Sequence, residues 1–169
     1  MFDIAHILTT YGYTGMFFAS LSENGIFFFL PGDSMLIASG VLASADMFDV
    51  NYVVAIYIIG STVGNLIGYE IGKRLEIWRE KNKFIRSIFK DKYIEEAHYA
   101  FAKYGDRIVL VQRYIPIIRT FGPMIAGAVG MRYSTFVTYS IIGGIVWSVS
   151  LVYPSYWLGN RVPGLENHI

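Results

Sequence analysis

Apolar residues gather into four long runs along this chain, and most of the charge falls between the second and the third. The first run, about Gly15–Ala43, contains Glu23 and Asp33. The second, Val50–Tyr69, is 20 residues without a charge. The third, Ile108–Met131, contains Arg113 and Arg119. The fourth, Tyr133–Gly159, is 27 residues without a charge. A helix crossing a bilayer needs about 20 apolar residues at roughly 1.5 Å each. The second and fourth runs therefore predict plain spans. The other two are interrupted, at Glu23-Asn24-Gly25 and Pro31-Gly32 in one and at Pro116 and Gly122-Pro123 in the other. Proline removes a backbone donor and clashes with the preceding turn. Broken backbone at membrane depth survives only where protein shields it or where it lines a wet cavity. Both runs are read as re-entrant helical hairpins, with a kinked spanning helix as the alternative.

The stretch from Glu70 to Arg107 holds 10 of the 14 Lys and Arg and 7 of the 13 Asp and Glu. Within it Ile77, Phe84, Ile85, Ile88 and Tyr93 recur at helical spacing, with Lys and Glu opposite. This predicts an amphipathic helix on the membrane surface over about 77–103. Basic residues in short loops favour the cytoplasm, so this segment is expected inside and the base-free loop with Asp46 and Asp49 outside. Val50–Tyr69 then crosses inward and Tyr133–Gly159 outward. Met1–Tyr13 carries no basic n-region and no small-residue cleavage site, so no removable signal peptide is expected.

Composition agrees with the pattern: 54% hydrophobic residues, 17% aromatic, and a mean hydropathy of +0.43. The expectation is an all-α integral membrane protein. A net charge of +1 says nothing about partners. The absence of cysteine excludes disulfides, thiolate catalysis and cysteine-bound metals. His6, His98 and His168 are scattered, and neither a metal motif nor a P-loop is present. No metal and no cofactor is expected. Ser22, Ser34 and Ser39 have no nearby histidine, so no hydrolase triad and no enzyme is expected. The aromatic residues of the basic segment lie on its apolar face, which argues against nucleic acid.

The two halves echo one another. Ile37-Ala38-Ser39-Gly40 answers Ile125-Ala126-Gly127, with Asp33-Ser34 just before the first and Arg119-Thr120 just before the second. The spans that follow end Tyr69-Glu70-Ile71-Gly72-Lys73-Arg74 and Tyr156-Trp157-Leu158-Gly159-Asn160-Arg161. One span per copy, an odd number, gives the copies opposite orientation. Inverted repeats are a transporter architecture with the site near the midplane. The expected organisation is one membrane domain, 1–169, with repeat 1 at about 1–74, the linker helix, and repeat 2 at about 104–161.

Each charge inside an apolar run costs roughly 2.5–3.5 kcal/mol at a helix centre if it stands alone. Facing hairpin tips would let Glu23 and Asp33 pair with Arg113 and Arg119. Local roles compete with that reading: Asp33, Ser34 and Thr120 suit helix caps, and the arginines can snorkel to the surface. A carboxylate in low dielectric suits proton exchange, and two arginines suit the two-pronged grip of a phosphate. Gly60, Gly64, Gly68 and Gly72 form a small-residue face on the second run, suited either to the opposite repeat or to a second copy in a homo-oligomer. Asn65 is placed to hydrogen-bond across that seam.

Two motif sets carry a family resemblance. Ser22-Glu23-Asn24-Gly25, Leu30-Pro31-Gly32-Asp33-Ser34 and Ala38-Ser39-Gly40 form one. Lys103-Tyr104-Gly105-Asp106, Arg113-Tyr114-Ile115-Pro116-Ile117-Ile118-Arg119-Thr120-Phe121, Gly143-Gly144-Ile145-Val146-Trp147 and Tyr156–Gly159 form the other. Together they resemble the DedA family of bacterial membrane proteins, within the VTT superfamily, over nearly the whole chain. The resemblance implies a multi-pass protein of the cytoplasmic (inner) membrane with two re-entrant hairpins. It implies a flippase-like or scramblase-like role, driven by the proton-motive force, on membrane lipids such as undecaprenyl phosphate or phospholipid, in support of envelope integrity. It maps the family's essential acids to Glu23 and Asp33 and its essential arginines to Arg113 and Arg119. Members usually continue into one more spanning helix after the segment ending near Arg161, a helix this chain is expected to lack.

Overall fold

A computed structural model of the chain describes residues 4–25, 32–81, 99, 103, 105–114 and 116–162. Among these the regular structure is helical throughout, with no strand. The helices are α1 (Ile4–Gly25), α2 (Gly32–Ser44), α3 (Val50–Lys81), the four-residue α4 (Ile108–Val111), α5 (Pro116–Ala128) and α6 (Tyr133–Arg161). Short 3-10 turns at Gly105–Arg107 and Gln112–Tyr114 flank α4.

The first apolar run divides where its sequence breaks: α1 ends at Gly25 and α2 begins at Gly32. Helix starts earlier than the apolar run does, at Ile4, and it pivots at Gly12 (φ 55°, ψ −141°). Glycine is the residue that takes positive φ without a steric penalty. Beyond the pivot, Met16, Ala19, Ser20 and Glu23 recur every three or four residues and are all buried, so one face of α1 is committed to the interior. That face lies against α3: the backbone carbonyl of Phe17 and the side chain of Ser20 crowd Gly60, and Ser20 donates to the Tyr57 carbonyl at 3.2 Å.

α2 has 13 residues, about 20 Å of helix, too short for a hydrocarbon core of about 30 Å. It is wrapped by protein, with Leu36, Ala38, Ser39 and Leu42 all at 3% exposure or less. It crosses α6 at close range, Gly40 against Val152 and Ser155, and Gly159 against Ser44 and Val41. α3 follows after a tight turn and is capped by Asp49, whose carboxylate accepts from the N–H groups of Asn51 (2.8 Å) and Tyr52 (3.3 Å).

α3 and α6 are the two helices long and apolar enough to cross a membrane, over Val50–Arg74 (25 residues) and Tyr133–Arg161 (29 residues). Only 39% of each apolar window is buried inside the protein, unlike the core helix of a water-soluble domain. Ile59 and Ile67 on α3 and Ile142, Ile145 and Val146 on α6 stay exposed, so the spans present an apolar surface outward. The inner stripe of α6 carries Ser140, Gly143, Gly144, Trp147 and Ser148.

Two expected boundaries shift. α3 runs without a break through residues 77–81, where the surface helix was expected to begin. Of the rest of that expected helix, 82–98 and 100–102 lie outside the described residues. The third apolar run breaks ahead of Pro116 but not at Gly122-Pro123, since α5 continues through Pro123. Proline costs one backbone bond there, yet α5 is held along its length by packing against α3. Pro116 sits at the first helical position, where its missing N–H is no loss. α5 closes in a Schellman turn, Gly130 N–H to Gly127 carbonyl (3.1 Å) and Met131 N–H to Ala126 carbonyl (3.0 Å), with Gly130 at φ 71°.

Candidate functional site

The chain's breaks place charge at helix ends. Glu23 lies in the last turn of α1 and Asp33 in the first turn of α2. Arg119 lies in the first turn of α5, and Arg113 in the 3-10 turn before it. Arg119 joins three of these elements. Its Nη1 donates to Asp33 Oδ1 at 2.7 Å, and its Nη2 donates to Glu23 Oε1. Side-chain exposure is 7% for Arg119, 5% for Glu23 and 44% for Asp33. Glu23 is thus the enclosed partner and Asp33 the half-exposed one. The Asp33 carboxylate goes to Arg119 rather than serving only as a local cap. The expected cap at Thr120 falls on a side chain outside the described residues.

Trp147 supports this cluster from α6. Its ring lies 5.3 Å from the Arg119 guanidinium carbon and is 1% exposed. It meets Tyr57 of α3 edge to face at 6.5 Å. The Tyr57 hydroxyl is 3.1 Å from Ser39 Oγ. Ser39 spends its own proton on the Met35 carbonyl at 2.7 Å, so Tyr57 is the donor in that pair.

Arg113 stands apart from the acids. It is 1% exposed, and its Nη2 donates to the Ser140 carbonyl at 2.8 Å. Its Nε and Nη1 have no hydrogen-bond partner among the described residues. It lies along the glycines of α6, with Gly143 closest to Nε, and its positive charge is repelled by that of Arg119. Of the four charges foreseen in the sequence, three therefore meet directly and the fourth is housed separately.

The glycine face of α3 is used within the chain. Gly60 meets α1, Gly72 is covered by the Met124 backbone of α5, and Gly64 and Gly68 are buried. From the other side Gly127 of α5 approaches the backbone at Tyr69 and Lys73. Asn65 bonds across the α3–α6 seam, Nδ2 to Ser140 Oγ at 3.4 Å.

The sequence reading quoted Trp147 within a family motif without giving it a role, and passed over Tyr57, Ser61 and Thr62. For Trp147 there was a signal: it sits in the middle of an apolar span, whereas spanning helices usually place tryptophan at the interface. For Ser61, Thr62 and Ser140 the signal was a stripe of small polar residues facing a stripe on another span.

Two apolar spans packed with shorter helices whose ends meet in buried charge define a helical membrane protein. Comparison with known proteins gives the family. Residues 30–157 match the VTT domain, and the chain belongs to the DedA family that carries it. It is 31% identical over 175 residues to Protein DedA of Escherichia coli strain K12, covering 98% of this chain and 78% of that one. It is 36% identical over 152 residues to an uncharacterized membrane protein of Mycobacterium leprae, covering 87% and 66%. It is 30% identical over 149 residues to the inner membrane protein YqjA of Escherichia coli K12, covering 87% and 67%. No solved structure matches the chain. The protein acts in a membrane.

Proposed function

We propose that the protein moves an anionic lipid phosphate, undecaprenyl phosphate or a phospholipid, across the cytoplasmic (inner) membrane, with proton binding as the trigger. One observation carries this: a buried Arg119 is held by Glu23 and Asp33 while a second buried arginine, Arg113, keeps donor groups unused. With both acids ionised, each terminal nitrogen of Arg119 is committed to a carboxylate, while its Nε has no hydrogen-bond partner among the described residues. Protonating an acid removes its charge-assisted bond and frees one edge of the fork for another oxyanion. Asp33, at 44% exposure, is the acid placed to exchange protons with water, and Glu23 holds the enclosed end. Arg113 supplies the second cation for a phosphate. Moving one charge through 100 mV is worth about 2.3 kcal/mol, enough to bias such a cycle.

The inverted-repeat reading is supported by a constant offset of 87 residues. It relates Gly40 to Gly127 and Gly72 to Gly159. Gly40 of α2 crosses α6 and Gly127 of α5 crosses α3, so equivalent glycines make equivalent crossings. On this reading α1–α2 is a re-entrant hairpin paired with span α3 as repeat 1. The segment through α5 is its counterpart, paired with span α6 as repeat 2, in one domain. The partners are lipids and protons, with no catalytic chemistry.

A stapling scaffold is the second reading, and the closed Glu23–Arg119–Asp33 pairing is what favours it. Two variants separate them in vesicles. The exchange of Glu23→Arg and Asp33→Arg with Arg119→Glu keeps opposite charges paired as a staple. Arg113→Ala leaves the three-residue cluster in place. Transport predicts that both insert and both lose headgroup movement across the vesicle membrane, with and without a pH gradient. Normal movement by either variant would remove its altered residues from the mechanism, and no movement by the unaltered protein would end the transport reading.

A further inference from the structure

The open side of Gly144 on α6 is ringed by polar atoms from two other elements. A methyl group built there would lie 3.4 Å from Ser61 Oγ, 3.5 Å from Arg113 Nη2 and 3.6 Å from Thr62 Oγ1. Thr62 Oγ1 is buried and has no hydrogen-bond partner among the described residues, as is true of Arg113 Nε and Nη1. Ser61 and Gly144 are themselves buried. A buried arginine with unused donors and no carboxylate beside it among the described residues is costly unless negative charge compensates it. Hydroxyls and a guanidinium together form a donor set for an oxyanion, and among the described residues no carboxylate stands beside them to repel one.

We propose that the notch at Gly144 receives one oxygen of a phosphate-type oxyanion, held by Arg113 together with the hydroxyls of Thr62 and Ser61. Thr62 and Ser61 are then positioning and specificity residues beside Arg113. Gly144 supplies the space. The inference rests on the anion-holding role given to Arg113 above and adds the ligands that complete it. Thr62 donates from an otherwise unused hydroxyl. Ser61 donates after releasing the Ile58 carbonyl, to which it bonds at 3.2 Å. The oxyanion is a free phosphate or the headgroup of a lipid, since both present the same oxygens.

The test is thermal unfolding of the full chain in two settings. One is detergent with increasing inorganic phosphate. The other is nanodiscs of phosphatidylcholine with and without phosphatidic acid. The midpoint of the unaltered protein is expected to rise with phosphate, with phosphatidic acid, or with both, and the responding arm identifies the source. Thr62→Val should weaken that response about tenfold, the loss of one hydrogen bond to a charged group, while Thr62→Ser retains it. Gly144→Ala adds a methyl at ordinary contact distance, so its starting midpoint should match the unaltered protein while its response disappears. A response in Thr62→Val and Gly144→Ala equal to that of the unaltered protein would overturn the notch, as would no response to either source. Absent lipid movement with a notch-dependent response would remove only the transport reading.

Discussion

Arg119 offers the sharpest test of how the interior is held together. Replacing it with leucine leaves Glu23 enclosed, at 5% side-chain exposure, without the cation to which it is bonded. Breaking a buried pair by removing one partner costs about 3–5 kcal/mol, because the remaining charge stays desolvated. The Asp33 half of the interaction is worth much less, since that carboxylate is 44% exposed and water takes over its hydration. Loss of the contact with Trp147 adds about 0.5–2 kcal/mol. Arg119→Leu is therefore expected to lower stability by about 4–7 kcal/mol, most of it traceable to Glu23. Adding Glu23→Gln removes the stranded charge, so the double variant should be more stable than the sum of its parts by about 2–3 kcal/mol. The same cycle with Asp33→Asn should give a coupling below about 1 kcal/mol. Reversible unfolding by denaturing detergent in mixed micelles measures all of these values. Additive Glu23 and Arg119 effects, or a larger coupling for Asp33 than for Glu23, would refute the reasoning.

Three further outcomes follow from the packing. Gly72→Leu puts a side chain into the Met124 backbone and should cost about 3 kcal/mol or more, whereas Ile59→Leu on the exposed face should stay within about 0.5 kcal/mol by the same unfolding assay. Tyr57→Phe deletes the donor to Ser39, which keeps its bond to Met35, so the expected loss is about 1 kcal/mol and the same truncation in a Ser39→Ala background should cost less. With Trp78 and Trp157 replaced by phenylalanine, Trp147 emission should change on adding Arg119→Leu and hold steady on adding Arg161→Leu, since Arg119 lies over the Trp147 ring and Arg161 over that of Trp157.

Much was legible in the chain before any coordinates. Two uncharged stretches, Val50–Tyr69 and Tyr133–Gly159, announced two apolar helices, because length and the exclusion of charge are local properties that a bilayer demands of each span separately. The break between Glu23 and Gly32 and the one ahead of Pro116 were equally local, since glycine and proline act on their own backbone. Pro123 was read as another break and is not one. Whether a helix survives a proline depends on what packs around it, which its own sequence does not state.

Tertiary structure decided the pairing. Glu23, Asp33, Arg113 and Arg119 were recognisable as four charges with no business in an apolar run, but composition could not say that Arg119 takes both acids while Arg113 turns to the Ser140 carbonyl. That choice depends on how α1, α2 and α5 converge, across separations of 86 and 96 residues. The glycine stripe on α3 likewise named a close contact without naming its partner, and packing assigned Gly60 to α1 and Gly72 to α5. The sequence set what each segment can tolerate in a membrane. Only the fold could settle which charge neutralises which, because desolvation is felt locally whereas ion pairs are made between segments distant in the chain.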